Sequence, residues 1–398
     1  MKNALVLTST FPRWKNDSTP SFVYDLCSML SKKYAVTVLA PHAYKSESKE
    51  KIGSLKIHRF KYFYPKYQSI AYGAGILPNV RKSFLAKMQI PLFLFSQLRN
   101  AEKILKREKF SLLHAHWMIP QGLIGAYLKK KYNTPLIVTI HGSDLFPLRN
   151  KVFRNVQEFV LENADEITVN SHVAKKELNF RFPSLRTRIS IIPMGIDTRL
   201  FTKRNQLKNQ YQSFKIILFV GRLNEQKGVE VLIKAMKKIK NVISNSKLLV
   251  IGEGNYRTHL EKLVHELGLG GNVNFLGPIQ KSKLPGYYSR ADVFVLPSVT
   301  SKIGTESFGL VLLEAMSCGT CVIGSSSGGI KDIIKDGENG LIFQEKNHEQ
   351  LADKIISVLK DDTLRDKLAK KGQKFARSNY GWDKITKKFL DVYGRVLK

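Results

Sequence analysis

Short runs of consecutive apolar residues recur along the chain, and each is followed by a stretch in which apolar residues return every three or four positions. An unbroken run of four to six apolar residues marks a strand buried on both faces, and the longer period marks one face of a helix. In the first half, Ala4–Leu7, Val36–Ala40, Leu112–Ala115, Leu136–Ile140, Glu166–Asn170 and Ile189–Ile192 predict strands. In the second half, Ile216–Val220, Lys247–Ile251, Val273–Leu276, Val293–Leu296 and Cys321–Gly324 do so. Segments such as Gly228–Ile239 and Thr258–Glu266 predict the intervening helices. Strand–helix alternation implies parallel sheets covered on both faces. Two such series imply an α/β chain of two Rossmann-like, doubly wound domains, each binding ligands at the C-terminal ends of its strands. Two such edges facing one another would make a central cleft.

The polar stretch Lys203–Asn209 precedes a fresh buried strand and places the boundary near residues 198–214. The expected division is 1–200, 201–377 and a terminal helix over 378–398. In that helix Trp382, Ile385, Phe389, Val392 and Val396 form one apolar stripe that needs a surface to cover it.

The 398 residues carry a formal charge of +33. The charge is spread over both halves, so it marks no single binding face. It fits either a compositional habit or affinity for an anionic membrane surface. No zinc spacing or helix-turn-helix signal supports nucleic acid as a partner. Three cysteines exclude a disulfide framework. Cys318-Gly-Thr-Cys321 has redox spacing, but it lies between a helix and an apolar strand of the second half and reads as structural. The first apolar run is too short for a signal-peptide core, and no run reaches the ~20 apolar residues that cross a bilayer. The expected location is cytoplasmic, with a peripheral position at the inner face of the cell membrane as the variant that the charge allows.

Four motifs carry candidate chemistry. In Glu306-Ser-Phe-Gly-Leu-Val-Leu-Leu-Glu314, Ser307-Phe-Gly reads as a loop entering a helix near Gly309, with Glu306 in the loop and Glu314 in the helix. At ~1.5 Å per residue the two carboxylates stand up to about 12 Å apart along the axis. That is too far for two carboxyls serving one bond. It suits gripping the two ends of a nucleotide–sugar, with the diphosphate at the helix N-terminus. The second motif is Val220-Gly-Arg222-Leu-Asn-Glu-Gln-Lys227-Gly228, whose two cations could neutralise a leaving diphosphate without a metal. The third, His141-Gly-Ser-Asp144, follows a predicted strand, where active-site residues sit. The fourth, the loop from Phe11 to Ser21, lacks the glycine-rich phosphate signature, and Gly252-Glu-Gly254 lacks the third glycine of a dinucleotide fingerprint. There is no Asp-x-Asp and no clustered His, so no metal site is expected. Asp361-Asp362 reads as a solvated face.

In these residues the chain resembles family four of the retaining glycosyltransferases, which have the GT-B fold. The resemblance is strongest from Ile191 to Phe343. It rests on Ile192-Pro-Met-Gly-Ile-Asp197, Gly221-Arg222 with Lys227-Gly228, Val250-Ile-Gly-Glu-Gly254, Ala291-Asp-Val-Phe-Val-Leu-Pro-Ser298, Glu306 with Glu314, Gly328-Gly329 and Asp336-Gly-Glu-Asn-Gly-Leu341. His114-Ala-His116 and His141-Gly extend it to the first half. The resemblance implies that Arg222 and Lys227 bind a donor diphosphate, Glu314 the ribose hydroxyls and Glu306 the transferred sugar. It also implies that Phe308, Gly309 and Leu310 offer backbone amides, that His141 lines the sugar, and that the last helix crosses back onto the first domain. Two departures stand out. Asp17-Ser18-Thr19 replaces a common Gly-Gly pair, and Val299–Thr305 is longer than usual.

The expected activity is metal-independent transfer of a hexose-type sugar, with retention, from a UDP- or GDP-linked donor. No cofactor is expected. Glu306, Arg222, Lys227 and His141 are the catalytic candidates. The segment 62–107 is rich in aromatics and cations and suits an anionic membrane surface, with a lipid-linked or glycan precursor as acceptor. Its alternative is an ordinary core helix. A soluble small-molecule acceptor and a sugar-nucleotide epimerase are the alternative activities.

Overall fold

The computed structural model describes residues 1–14, 17, 19–73, 75–204, 211–301 and 304–398. Ser18 and most of the polar stretch 203–209 therefore lie outside the described residues. By its contacts the chain forms two compact units: Met1–Gly195 with Trp382–Lys398, and Ile196–Gly381.

The first unit holds β1 (Asn3–Leu7), β2 (Ala35–Pro41), β3 (Lys49–Ile52), β4 (Leu55–Phe60), β5 (Leu112–His116), β6 (Leu136–Ile140), β7 (Glu166–Val169) and β8 (Ile189–Ile191) in one sheet, ordered β3-β4-β2-β1-β5-β6-β7-β8. All neighbours are parallel except β3 and β4, a hairpin turning at Gly53 with φ +60°. That hairpin is absent from the sequence expectation for a physical reason. Leu-Lys-Ile-His-Arg-Phe alternates, and Lys49–Ile52 has three charged residues of four, as befits a wet edge.

The terminal helix Trp382–Val396 belongs to this unit. It buries Trp382, Ile385, Phe389, Val392 and Tyr393. The Trp382 indole lies so close to Gly195 that a β-carbon there would meet it at 2.7 Å. Farther along, Arg395 Nε donates to buried Glu166 at 3.1 Å, and Ser190 shares the same carboxylate.

The second unit holds β9 (Lys215–Val220), β10 (Ser246–Ile251), β11 (Val273–Gly277), β12 (Val293–Leu296), β13 (Cys321–Ser325) and β14 (Leu341–Phe343), all parallel, ordered β11-β10-β9-β12-β13-β14. This is the doubly wound order of the dinucleotide-binding fold, and its direction reverses between β9 and β12. Only three-residue β14 escaped the sequence expectation.

Several motifs acquire structural roles. Gly252 and Gly254 let the chain after β10 press against the loop after β9, since β-carbons there would lie 1.9 Å from the Gly221 carbonyl and 2.0 Å from that of Leu223. Asp361 and Asp362 are both exposed, as expected of a solvated face, and Asp361 also caps a helix by accepting from the Leu364 amide at 2.9 Å. Cys318 and Cys321 are buried free thiols, and burial pushes both up to about 12, far from a reactive thiolate.

Candidate active site

In the second unit the strand order reverses between β9 and β12, and open sheets of this kind bind ligands outside the C-terminal ends of the strands at such a point. Chain leaving β9 forms the loop Gly221–Gly228, and chain leaving β12 runs through Pro297-Ser298 toward Glu306. The Asn224 side chain accepts from the Lys227 amide at 3.1 Å and so closes a short turn. Gly228 then takes φ +64°, and any β-carbon there would collide with the Pro297 carbonyl at 1.9 Å. Gln226 ties the two loops together, donating from Nε2 to the Thr305 carbonyl at 2.6 Å and accepting from the Val299 amide at 2.8 Å.

This lock sets Lys227 Nζ 2.6 Å from Glu306 Oε2. The Ser298 hydroxyl donates to the same oxygen at 2.8 Å, leaving Oε1 without a partner among the described residues. Glu306 is buried. Burial alone would raise its carboxyl; the charge and hydrogen bond of Lys227, then Ser298 and the Arg222 charge, outweigh it and hold Glu306 below the usual carboxylate range. Arg222 itself is exposed at the rim. Behind Glu306, Gly328 and Gly329 press on the backbone, where β-carbons would meet the Glu306 and Ser307 carbonyls at 1.9 and 2.4 Å.

The following helix is Leu310–Ser317, capped by Gly309 at φ +95°. Its opening amides, together with those of Phe308 and Gly309, are the groups that a helix start leaves unpaired within the helix. Phe308 is anchored in the core against Tyr380, with ring centroids 5.8 Å apart. Glu314 is buried one turn on, and Tyr288 donates to its Oε2 at 2.9 Å. Tyr288 had no signal in the sequence. Ser298 stood in the Pro-Ser motif, without a role until the ion pair was visible.

In the first unit, β5 and β6 end in a cluster of imidazoles. His114 bonds Thr139 at 2.7 Å and Tyr393 at 2.9 Å. His116 Nδ1 and His141 Nε2 share a hydrogen bond of 3.0 Å, and their rings stack. Burial lowers His114 to about 3; burial and then the His114 charge bring His141 to about 3, and His116 also lies well below its ordinary value. All three are therefore neutral at pH 7. Trp117, at φ +75°, covers His141 with centroids 4.5 Å apart. Asp144 is a backbone clamp, accepting from the amides of Met118, His141 and Gly142. Burial still pushes it up to about 6. A separate cavity of about 610 Å³ in this unit is lined by Arg13, His42, Lys66 and Lys82 among others.

A family model for glycosyl transferases group 1 matches residues 202–375, and one for glycosyltransferase family 4 matches residues 20–200. An uncharacterized glycosyltransferase of Methanocaldococcus jannaschii is 30% identical over 83% of this chain and 88% of its own. The chain belongs to glycosyltransferase family 4.

A further relative of this family-4 glycosyltransferase is the N-acetyl-alpha-D-glucosaminyl L-malate synthase of Bacillus anthracis, 29% identical over 78% of this chain and 81% of its own. Another is the D-inositol 3-phosphate glycosyltransferase of Salinispora tropica, 28% identical over 75% of this chain and 66% of its own. Among solved structures, sucrose-phosphate synthase from Thermosynechococcus elongatus matches with a TM-score of 0.83 at 24% identity, covering 100% of this chain and 99% of that one. The fold is GT-B, built from two Rossmann-like parallel-sheet units. The glycosyltransferase carries Arg222, Lys227, Glu306, Phe308, Gly309, Leu310 and Glu314 in its second unit and His141 in its first. Among its described residues no helix is long and apolar enough to cross a membrane.

Proposed function

We propose that this glycosyltransferase moves a hexose-type sugar from a nucleotide-diphosphate sugar, UDP- or GDP-linked, to a hydroxyl acceptor, with retention and without a metal. The carrying observation is the Lys227–Glu306 pair at the strand-order reversal, beside a helix N-terminus. Such a point takes nucleotides, and a cation with amide donors meets the charge that develops on a departing diphosphate. Lys227 spends one of its three N–H groups on Glu306 and has two for phosphate oxygens. Arg222 adds a second cation. Glu306 Oε1 accepts from a sugar hydroxyl, and Glu314, oriented by Tyr288, accepts from the ribose hydroxyls. As the C1–O bond lengthens, positive charge grows on the ring and negative charge on the diphosphate, whose own oxygen takes the acceptor proton. His141, neutral and held by His116, is the catalytic candidate of the first unit.

The acceptor is a lipid-linked or glycan precursor at the cytoplasmic membrane face. A soluble acceptor is the second reading, favoured by the cavity lined by Arg13, Lys66 and Lys82, which suits a small anionic molecule. Relatives named for malate and for inositol 3-phosphate are consistent with it. Thermal shift with UDP, GDP and ADP, then turnover with the matching nucleotide sugars in EDTA, tests the donor side. Stabilisation by one diphosphate and an α-product from an α-donor are expected. No shift with any diphosphate, an inverted product, or activity lost in EDTA would overturn the corresponding part.

A further inference from the structure

The outward surface of the first unit has one region that the fold does not explain. The helix Ile90–Arg107 buries Phe93, Gln97, Ala101 and Ile104 on one side. Those residues satisfy its packing, yet Leu92 and Phe95 on other sides are 45% and 62% exposed. The preceding short helix Phe84–Met88 leaves Phe84 and Met88 76% and 60% exposed. Positions 84 and 88 share one face of the short helix and 92 and 95 one face of the long helix that follows Gln89, so consecutive helices each add an exposed apolar pair to a stripe. The stripe continues as exposed Arg99 and Lys103, and exposed Arg81, Lys82 and Lys87 flank its start.

A second element is pinned beside it. Gln89, buried at the helix junction, accepts from the Ser69 amide at 3.1 Å and donates to the Tyr67 carbonyl at 2.9 Å. Ser96 donates to the Lys61 carbonyl at 2.6 Å. The turn Pro65–Tyr67 is thereby held against the helices, and Tyr64 and Tyr67 are both exposed. Residues 51–101 contain nine Lys and Arg and no Asp or Glu.

We infer that this face docks on an anionic lipid bilayer, with Phe84, Met88, Leu92 and Phe95 entering the headgroup boundary. A contiguous apolar stripe is costly to leave in water and marks an interaction site. An apolar stripe flanked by cations, with aromatic turns at its edge, matches a surface that is apolar at one depth and anionic at the next. A second copy of the chain is a poor occupant, because two equally basic faces repel. The inference does not depend on the donor chemistry. It deepens the acceptor reading by placing the first unit on the surface that would carry a lipid-linked acceptor.

The test is co-sedimentation of the full chain with phosphatidylcholine vesicles, with and without phosphatidylglycerol, at low and high salt. Binding is expected only with phosphatidylglycerol, and salt should weaken it. A Phe84→Ser, Phe95→Ser variant should lose partition by about tenfold or more, with its melting temperature kept because both rings are already exposed. A Phe95→Trp variant should be quenched by brominated lipid. No binding to anionic vesicles at low salt, undiminished binding of the double serine variant, or a dimer that this variant dissolves would each overturn the inference. Turnover on a soluble acceptor without vesicles reports separately on the donor site, so the two failures are distinguishable.

Discussion

Lys227 and Glu306, 79 positions apart, meet at 2.6 Å beyond the C-terminal ends of the two central strands of the second sheet. The pair is nearly buried, and Ser298 completes it. Each partner therefore stabilises the other as well as any ligand. Removing Lys227 leaves a carboxylate in a dry site, whereas removing both charges leaves none.

Lys227→Ala should lower turnover by roughly 10²-fold or more, as for loss of a charge-stabilising group, and should cost about 3 kcal/mol of stability through the stranded Glu306. The double variant Lys227→Met, Glu306→Gln should recover most of that stability and none of the activity. Chemical denaturation and initial rates on the same preparations check both statements. Near wild-type turnover in the double variant would remove the pair from catalysis.

Gly328 holds Glu306 in place by having no side chain. Gly328→Ala places a β-carbon 1.9 Å from the Glu306 carbonyl at φ +49°. The loop must move, so KM for the donor should rise and kcat fall. Gly337, at φ +74° with nothing within 4 Å, is the control. Gly337→Ala should cost about 1 kcal/mol and leave both kinetic constants unchanged.

The imidazole cluster should make the first unit acid-sensitive. In the unfolded chain a histidine binds a proton below pH ~6.5, whereas folded His114 and His141 stay neutral down to about 3. Between those values the unfolded state holds more protons, so stability falls as pH falls, by about 1.4 kcal/mol per unit for each group. Asp144 acts in the opposite direction. Its folded value of about 6 lies above the unfolded one, so its contribution falls as pH rises from about 4 to 6. The histidines outnumber it, and the net slope favours neutral pH. His114→Asn should flatten the acid limb in melts taken from pH 7 to 4.

Arg395 neutralises buried Glu166 from the last helix. Arg395→Ala should destabilise the first unit by about 2–4 kcal/mol, since it strands a buried carboxylate. Amide exchange in Trp382–Val396 should accelerate first. Glu166→Gln in the same background should restore part of the loss.

Much of this was legible in the chain because it is local. Unbroken apolar runs reported the buried parallel strands, and the edge hairpin β3–β4 escaped because its pattern alternates. The helix beginning at Gly309 and the positions of Glu306 and Glu314 around it followed from spacing alone. For segment 62–107, periodicity could not separate a core helix from a surface one. Phe93 and Phe95 look alike in sequence, and only packing buries one and exposes the other.

What the sequence determined by itself was the set of elements, the doubly wound class, the family and the residue types at the strand ends, because strand and helix periods are properties of neighbouring positions. What only the tertiary structure decided was who meets whom. The strand order puts β9 beside β12, and so brings Lys227, Ser298 and Glu306 to one point. Close backbone approach assigns Gly228, Gly252 and Gly328 their places. Tyr288 turns toward Glu314, and the last helix reaches His114 and Glu166. These depend on distances between residues far apart in the chain, which no local period records.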